Sequence, residues 1–185
     1  ENLGTSLPTV TGMLKRMVRD HLIIKNKNNE VFLTEYGEIS AKEQTKRFRL
    51  ASKFVHEILK IDLKNVFQEA HLLEHAISQD VENAIEKLLN YPDKDPFGQD
   101  IPGSKKTEKI NIIPLSKTTK NKSYTISKIP PENPEFVDFL HTNKILPGSI
   151  ITIHEVSDTR GIINIKINNN SVDLALNVAK TIWVK

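Results

Sequence analysis

A segment without hydrophobic periodicity divides this chain into two halves with different patterns. Residues 93–109 are rich in Asp, Pro, Gly and Lys, and they predict a linker that is partly disordered. Before the linker, apolar residues recur at helical spacing. After it, they fall in short β-prone runs at residues 110–113, 123–129, 149–156, 161–167, 171–176 and 181–184, with a short helix predicted at 136–140. We therefore predict a mainly α chain with β structure, in which residues 110–185 form a small β-barrel.

The chain opens with the pattern of an amphipathic helix. Ser6 is placed to cap this helix, and Pro8 lies in the first turn, where its missing N–H costs nothing. An apolar stripe at positions i, i+3, i+4 and i+8 predicts a helix that runs from this cap through Val18. The stripe consists of Val10, Met13, Leu14 and Val18.

A short hairpin and a long helix are predicted next. Apolar residues 22–24 and 31–33 flank a polar turn, which is the pattern of a two-stranded wing. Thr34 then caps a helix predicted to continue to Ile61. Because helix, wing and helix follow one another as in a winged helix-turn-helix module, we assign residues 1–43 to a DNA-binding domain.

Basic and hydroxyl side chains make the first helix and the wing a candidate surface for duplex DNA. Base contacts are expected from the start of the helix, and phosphate contacts from the lysines and arginines, so affinity should fall steeply with salt. An amphipathic helix beside an ordinary hairpin would give the same pattern without binding DNA. The candidate residues are Ser6, Pro8, Thr9, Thr11, Lys15, Arg16, Arg19, Lys25 and Lys27.

Residues 44–92 are predicted to form a helical domain that carries a metal site. In a helix, positions i, i+3 and i+4 share one face, so His71, Glu74 and His75 point together. Two imidazoles and a carboxylate suit a borderline divalent ion. The alternatives are two histidines on a polar helix face, or the active site of a zinc hydrolase with Glu74 as general base.

Shorter helices surround this candidate site. Asp62 is placed to cap the helix that bears it, and Ser78 to cap the next helix, which ends near Pro92. Helices this short, with apolar faces this full, need a surface to pack on. We therefore expect a helical dimer interface in this domain.

Charge and composition narrow the class of protein further. Residues 1–60 have a net charge of +4, residues 61–102 of −6, and residues 103–185 of +5. A basic head and an acidic middle fit an anionic partner at one end and a cation in the centre. The absence of cysteine excludes disulfides and thiolate ligands, and we expect a cytoplasmic protein with no membrane partner.

The ordered set of motifs resembles the diphtheria toxin repressor family of iron- and manganese-dependent transcriptional repressors. The matching segments lie at residues 6–10, 33–37, 49–51, 69–75, 95–102 and 145–148. The resemblance implies a homodimer that binds a palindromic DNA operator of metal-uptake genes once Fe²⁺ or Mn²⁺ is loaded. It also implies that residues 110–185 form a Src-homology-3-like barrel related to a ferrous-transport protein.

The resemblance assigns the regulatory metal to Glu74 and His75, with His71 where iron-type members have Cys and manganese-type members have Glu. An imidazole is softer than a carboxylate and harder than a thiolate, so the residue at this position does not decide between iron and manganese. We favour Fe²⁺ over Mn²⁺ and expect Zn²⁺, Co²⁺ or Ni²⁺ to bind in vitro. A further ligand is expected from a helix that would precede Glu1.

At the family's second, ancillary metal site, this chain has helical residues that are unsuitable as metal ligands. Its helical ligand positions match Phe48, Ser52 and Phe67, a set that cannot hold an ion, and we expect the two rings to pack together. The barrel positions match Glu132 and Glu135, which we expect to be surface acids, and docking of the barrel would then rest on direct contacts. At the neighbouring anion position, we expect Asp95 to pair with Arg49.

Two functions compete with a repressor. A zinc hydrolase would use His71 and His75 as ligands and Glu74 as base, but it needs a third ligand and does not explain the basic wing. A metal sensor could instead act through protein contacts made by the barrel, which lacks an aromatic-lined peptide groove. We therefore expect a DNA-binding repressor that is not an enzyme and has no small-molecule substrate.

Overall fold

A computed structural model describes residues 6–104, 111–168 and 170–185. Residue contacts divide the chain into two compact units, Glu1–Lys46 and Arg47–Lys185, and each unit is described by itself. No helix in the described ranges is both long and apolar enough to cross a bilayer.

The first unit has the predicted element order. Helix α1 spans Leu7–Arg19, and the antiparallel hairpin consists of β1 (Ile23–Lys25) and β2 (Val31–Leu33). The Ser6 side chain accepts a hydrogen bond from the backbone N–H of Thr9, which confirms the predicted cap. Helix α2 (Glu35–Glu57) begins in this unit and continues into the second.

The apolar stripe of α1 is less buried than its spacing predicts. None of the residues of α1 is buried, and Met13 and Val18 are 46% and 39% exposed. Helical spacing shows which residues share a face, but it does not show whether that face is covered.

Helix α2 ends earlier than predicted, at Glu57 instead of Ile61. Lys60 has a φ of +60°, and the backbone N–H of Ile61 bonds back to the carbonyl of Val55 at 3.2 Å. A residue in the left-handed region that is followed by such a back-bond is a common way for helices to terminate.

Helices α3 (Leu63–Glu74) and α4 (Gln79–Leu88) follow in the order that the sequence predicts. Ser78 caps α4 by accepting a hydrogen bond from the N–H of Val81. Asp62 stands at the N-cap position of α3 but makes no side-chain capping bond, so that predicted role is wrong. Arg47 of α2 pairs with the buried Glu82 of α4 at 3.1 Å, which ties these two helices together.

The predicted linker is packed along most of its length. Phe97 and Ile101 are 0% and 1% exposed, and a β-bridge joins Lys94 to Asp100. The expected disorder therefore does not apply to residues 93–104, because apolar side chains anchor this irregular backbone in the core. Residues 105–110 lie outside the described residues.

The described C-terminal strands are β3 (Ile113–Pro114), β4 (Ser123–Lys128), β5 (Ile150–Ser157), β6 (Ile162–Ile167), β7 (Asn170–Ala175) and β8 (Trp183–Val184). They form a six-stranded antiparallel sheet in the order β3-β8-β4-β5-β6-β7. Helix α5 (Pro134–Thr142) lies between β4 and β5, and the short helix α6 (Leu176–Ala179) precedes β8. Every strand contributes an apolar residue to one hydrophobic cluster, as expected of a small barrel.

Candidate metal centre

The end of helix α3 carries the three candidate metal ligands. His71 and Glu74 lie in its last turn, and His75 is the C-cap residue with φ −69° and ψ −21°. Because the backbone of His75 is still helical, the spacing i, i+3, i+4 is preserved and the three side chains share one face. Val66 and Ala70 lie on the buried side of the same helix and fix its orientation in the core.

The ligand atoms of this trio are close enough to share one ion. The Nδ1 atom of His71 lies 2.9 Å from Oε1 of Glu74, and Nε2 of His75 lies 3.8 Å from the same oxygen. One ligand atom from each residue lies within 4.8 Å of the other two, a property of no other trio among the described residues. The predicted grouping of these residues is therefore present in the structure.

Glu74 is the buried member of the trio. Its side chain is 5% exposed, whereas His71 and His75 are 59% and 65% exposed. Its Oε2 atom is buried and makes no hydrogen bond. An unpartnered buried carboxylate oxygen is costly, so a cation at this position would compensate for the lost hydration.

The chemistry of the trio fits a borderline divalent ion. A carboxylate only accepts hydrogen bonds, so the short contact between His71 and Glu74 is donated by the imidazole N–H. A bound ion would replace that proton, and metal binding at such a site releases protons. The imidazole rings of His71 and His75 lie 5.1 Å apart and leave this end of the site exposed.

The predicted DNA-contacting residues lie on the surface of the first unit. All nine are exposed. The hydroxyl groups of Ser6 and Thr9 are 2.8 Å apart, and that of Thr11 donates to the carbonyl of Leu7. Arg19 is paired with Asp20 at 2.9 Å, so its guanidinium would have to exchange that partner for a phosphate.

The positions that match the ancillary site hold no metal ligands. The rings of Phe48 and Phe67 are in an edge-to-face arrangement with centroids 5.3 Å apart, which confirms the expected packing. The hydroxyl of the buried Ser52 donates to the carbonyl of Phe48. Glu132 and Glu135 are exposed, as expected of surface acids. This donor set does not fit an ion.

Asp95 does not form the predicted ion pair with Arg49. Its Oδ1 atom accepts hydrogen bonds from the backbone N–H groups of Phe97 and Gln99, whereas Arg49 donates to the carbonyl of Asp100. Turn formation by a short acidic side chain has displaced the ion pair. Burial raises the pKa of Asp95 to about 6, although the two hydrogen bonds and the charge of Arg49 oppose that rise.

Sequence reasoning missed the role of Asp100. Its carboxylate pairs with Lys128 of β4 and lies 3.8 Å from Lys94. Partial burial acts to raise the pKa of this carboxyl group, but the contacts with Lys128 and Lys94 and the charge of Arg49 together lower it. The motif at residues 95–102 contained Asp100, but no local pattern indicates that its partner is 28 residues away.

Two family models match this chain. Residues 34–103 match the iron dependent repressor, metal binding and dimerisation domain, and residues 113–185 match the FeoA domain. The first of these ranges includes the candidate metal ligands.

Proteins similar in sequence or structure to this chain are named as repressors. The iron-dependent repressor IdeR of Mycobacterium bovis is 28% identical over 167 residues, which cover 90% of this chain and 71% of that protein. The diphtheria toxin repressor of Corynebacterium diphtheriae is 34% identical over 103 residues, which cover 56% of this chain and 46% of that protein. A solved manganese-dependent transcriptional repressor in complex with manganese superposes with a TM-score of 0.88 at 25% identity, over 98% of this chain and 86% of its own.

Proposed function

This chain belongs to the diphtheria toxin repressor family of metal-dependent transcriptional repressors, and from that premise we propose that His71, Glu74 and His75 bind the ion that makes it competent to bind DNA. The observation that carries this assignment is the buried, unpartnered oxygen of Glu74 beside two imidazole groups. A polar helix face that served only solubility would not bury a carboxylate in this way.

We infer that the physiological ion is Fe²⁺ or Mn²⁺, with Fe²⁺ favoured. Similar proteins are named as iron-dependent and as manganese-dependent repressors, so relatives of both metal dependences exist. Two nitrogen donors beside one carboxylate move the preference from the hard Mn²⁺ toward softer ions. Zn²⁺, Co²⁺ and Ni²⁺ should bind the same trio in vitro, since affinity for nitrogen ligands rises along the first-row series.

We propose that the first unit binds duplex DNA through α1 and the hairpin. The start of α1 would contact base edges, and Lys15, Arg16, Lys25 and Lys27 would contact phosphates. Each phosphate contact releases counterions, which makes the affinity depend on salt. An operator near metal-uptake genes is the target proposed, which requires a cytoplasmic location.

We propose that the protein binds this DNA as a homodimer, because residues 34–103 match a family model for a metal-binding and dimerisation domain. Helix α4 and the neighbouring turn of α3 leave large apolar side chains in water: Leu72, Val81 and Leu88 are 63%, 46% and 60% exposed. Exposed apolar side chains on neighbouring helices favour a contact between copies. Two copies would present two recognition helices to a palindromic site.

The alternative functions gain no support. The similar proteins are transcriptional repressors, which are not enzymes. A hydrolase that used Glu74 as its base would retain two histidine ligands, and no further acid or histidine joins the trio among the described residues. A sensor that acts only through protein contacts would leave the basic face of α1 without a role.

Fluorescence anisotropy of a labelled fragment of the protein's own promoter tests the function. In 1 mM Mn²⁺, or Fe²⁺ without oxygen, the full-length protein should bind at least tenfold more tightly than in chelator, because the ion stabilises the binding-competent form. His75→Ala should abolish this difference, whereas the matched variant His154→Ala, on an exposed position of β5, should retain it. Equal affinity of the wild-type protein in metal and in chelator would refute the proposal.

A further inference from the structure

The junction between the helical core and the C-terminal sheet contains no residues suited to the family's ancillary ion. Where ligands are expected, the rings of Phe48 and Phe67 fill the space at a centroid distance of 5.3 Å. The hydroxyl of Ser52 is engaged with a backbone carbonyl. We propose that this chain has lost the second metal site and that its C-terminal sheet is joined to the helical core by direct contacts that persist without any ion.

An apolar side chain from residues 93–104 is the first component of this junction. Phe97 is completely buried, and it belongs to the same hydrophobic cluster as Val55 and Val66 of the helices and Ile126 and Ile129 of the sheet domain. A fully buried phenylalanine stabilises a contact through the apolar area that it removes from water. This contribution is independent of metal.

Hydrogen bonds to the backbone of Ile129 fix the register of the junction. The carbonyl of Phe97 accepts from the N–H of Ile129 at 3.0 Å, and the side-chain amide of Gln99 donates to the carbonyl of Ile129 at 3.4 Å. Gly98 lies between these residues with a φ of +81°, and a Cβ atom there would stand 2.0 Å from the carbonyl oxygen of Ser127. The two backbones therefore approach as closely as only glycine permits.

Ion pairs and a hydrogen bond made by charged side chains also contribute to this junction. Asp100 pairs through its carboxylate with Lys128 of β4, and its carbonyl accepts a hydrogen bond from Arg49 of α2. The Lys128 side chain is 20% exposed, so this ion pair is partly shielded from solvent. A second ion pair, between Lys64 of α3 and Asp138 of α5, lies 3.2 Å apart on the surface.

These contacts connect α2 to β4 through protein side chains and backbone. The consequence is a division of roles between two sites: the trio at His71 responds to metal, and the junction at Phe97 does not. We therefore expect one tightly bound divalent ion for each protomer, and a sheet domain that stays docked when that ion is removed. The docking of the sheet domain does not depend on the proposed DNA-binding function. Experiments can therefore refute either proposal without refuting the other.

Hydrogen exchange of the Ile129 amide tests the docking, because this N–H bonds across the junction. In the full-length protein its protection factor should agree within threefold between chelator and 1 mM Mn²⁺. Gly98→Ala should accelerate exchange at Ile129 at least tenfold, with Ile165 of β6 as the internal reference. Lys128→Ala should accelerate it to a smaller extent, whereas Lys166→Ala, the same change at an exposed position of β6, should have no effect. A tenfold loss of Ile129 protection in chelator would overturn the proposal.

Metal content tests the stoichiometry. After dialysis against Mn²⁺ and removal of the free ion, elemental analysis should find one Mn²⁺ for each wild-type protomer and none for the double variant His71→Ala with His75→Ala. A full equivalent that remained on the double variant would demonstrate a second site and overturn the proposal.

Discussion

At the scale of single residues, two buried carboxylates have opposite relations to their surroundings. Asp95 satisfies its buried Oδ1 with two backbone N–H groups from its own turn. Glu74 has a buried Oε2 without any such partner and lies beside two imidazole rings. The first arrangement completes a local structure, whereas the second is suited to a cation from solution.

Asp95 should make the stability of the protein depend on pH. Burial raises its pKa in the folded protein to about 6, above its ordinary value of 3.8. Between these two values the folded protein keeps a proton that the unfolded chain has released, so the free energy of unfolding falls as pH rises through this window. Asp95→Asn should remove this pH dependence because an amide does not titrate in this range, and its oxygen can still accept both backbone hydrogen bonds.

Urea unfolding between pH 4 and 7 measures this effect. Relative to Asp95→Asn, the wild-type protein should lose about 2 kcal/mol of unfolding free energy over that range. Asp158→Asn, which removes one exposed carboxylate, provides the reference for a change of net charge. Parallel pH profiles for wild type and Asp95→Asn would contradict the assignment.

At the scale of elements, a glycine fixes the start of helix α2. A Cβ atom on Gly37 would lie 1.9 Å from the carbonyl oxygen of Leu22, which leaves no space for any other residue. Thr34 reinforces this close approach: its hydroxyl accepts from the N–H of Gly37 at 2.9 Å and donates to the carbonyl of His21. The wing and the helix that follows it are therefore joined through backbone.

Two glycine-to-alanine changes should have opposite effects on stability. Gly37→Ala should destabilise the first unit by about 2 kcal/mol or more, because backbone atoms must move to admit the methyl group. Gly12→Ala lies in the interior of α1, where no atom is within 4 Å of the new Cβ, and should stabilise by about 0.5–1 kcal/mol. Thermal unfolding followed by circular dichroism measures both, and equal effects would refute this account of Gly37.

Local sequence signals predicted the helices and strands better than they predicted how these elements end and what they pack against. The cap at Ser78 and the metal trio at residues 71–75 were predictable because capping and the i, i+3, i+4 spacing depend on neighbours along one helix. The end of α2 and the packing of Phe97 were not, since both depend on partners that are distant in sequence or on a backbone conformation at Lys60. Composition suggested a partly disordered linker at residues 93–109, whereas three-dimensional contacts order residues 93–104.

At the scale of the whole molecule, the proposed function requires a coupling between the metal site and the DNA-binding surface. The metal trio belongs to the second unit, and the basic helix and wing belong to the first. If metal raises the affinity for DNA, then DNA must raise the affinity for metal by the same factor. This reciprocity distinguishes a regulatory ion from one that merely stabilises the fold.

Calorimetric titration of the full-length protein with Mn²⁺, without and with a saturating operator duplex, measures that coupling directly. The duplex should lower the Mn²⁺ dissociation constant by about 10-fold to 100-fold, equal to the factor by which Mn²⁺ tightens DNA binding. His154→Ala should show the same shift. A Mn²⁺ dissociation constant that is unchanged by the duplex would contradict the claim that occupancy of the site at His71, Glu74 and His75 controls DNA binding.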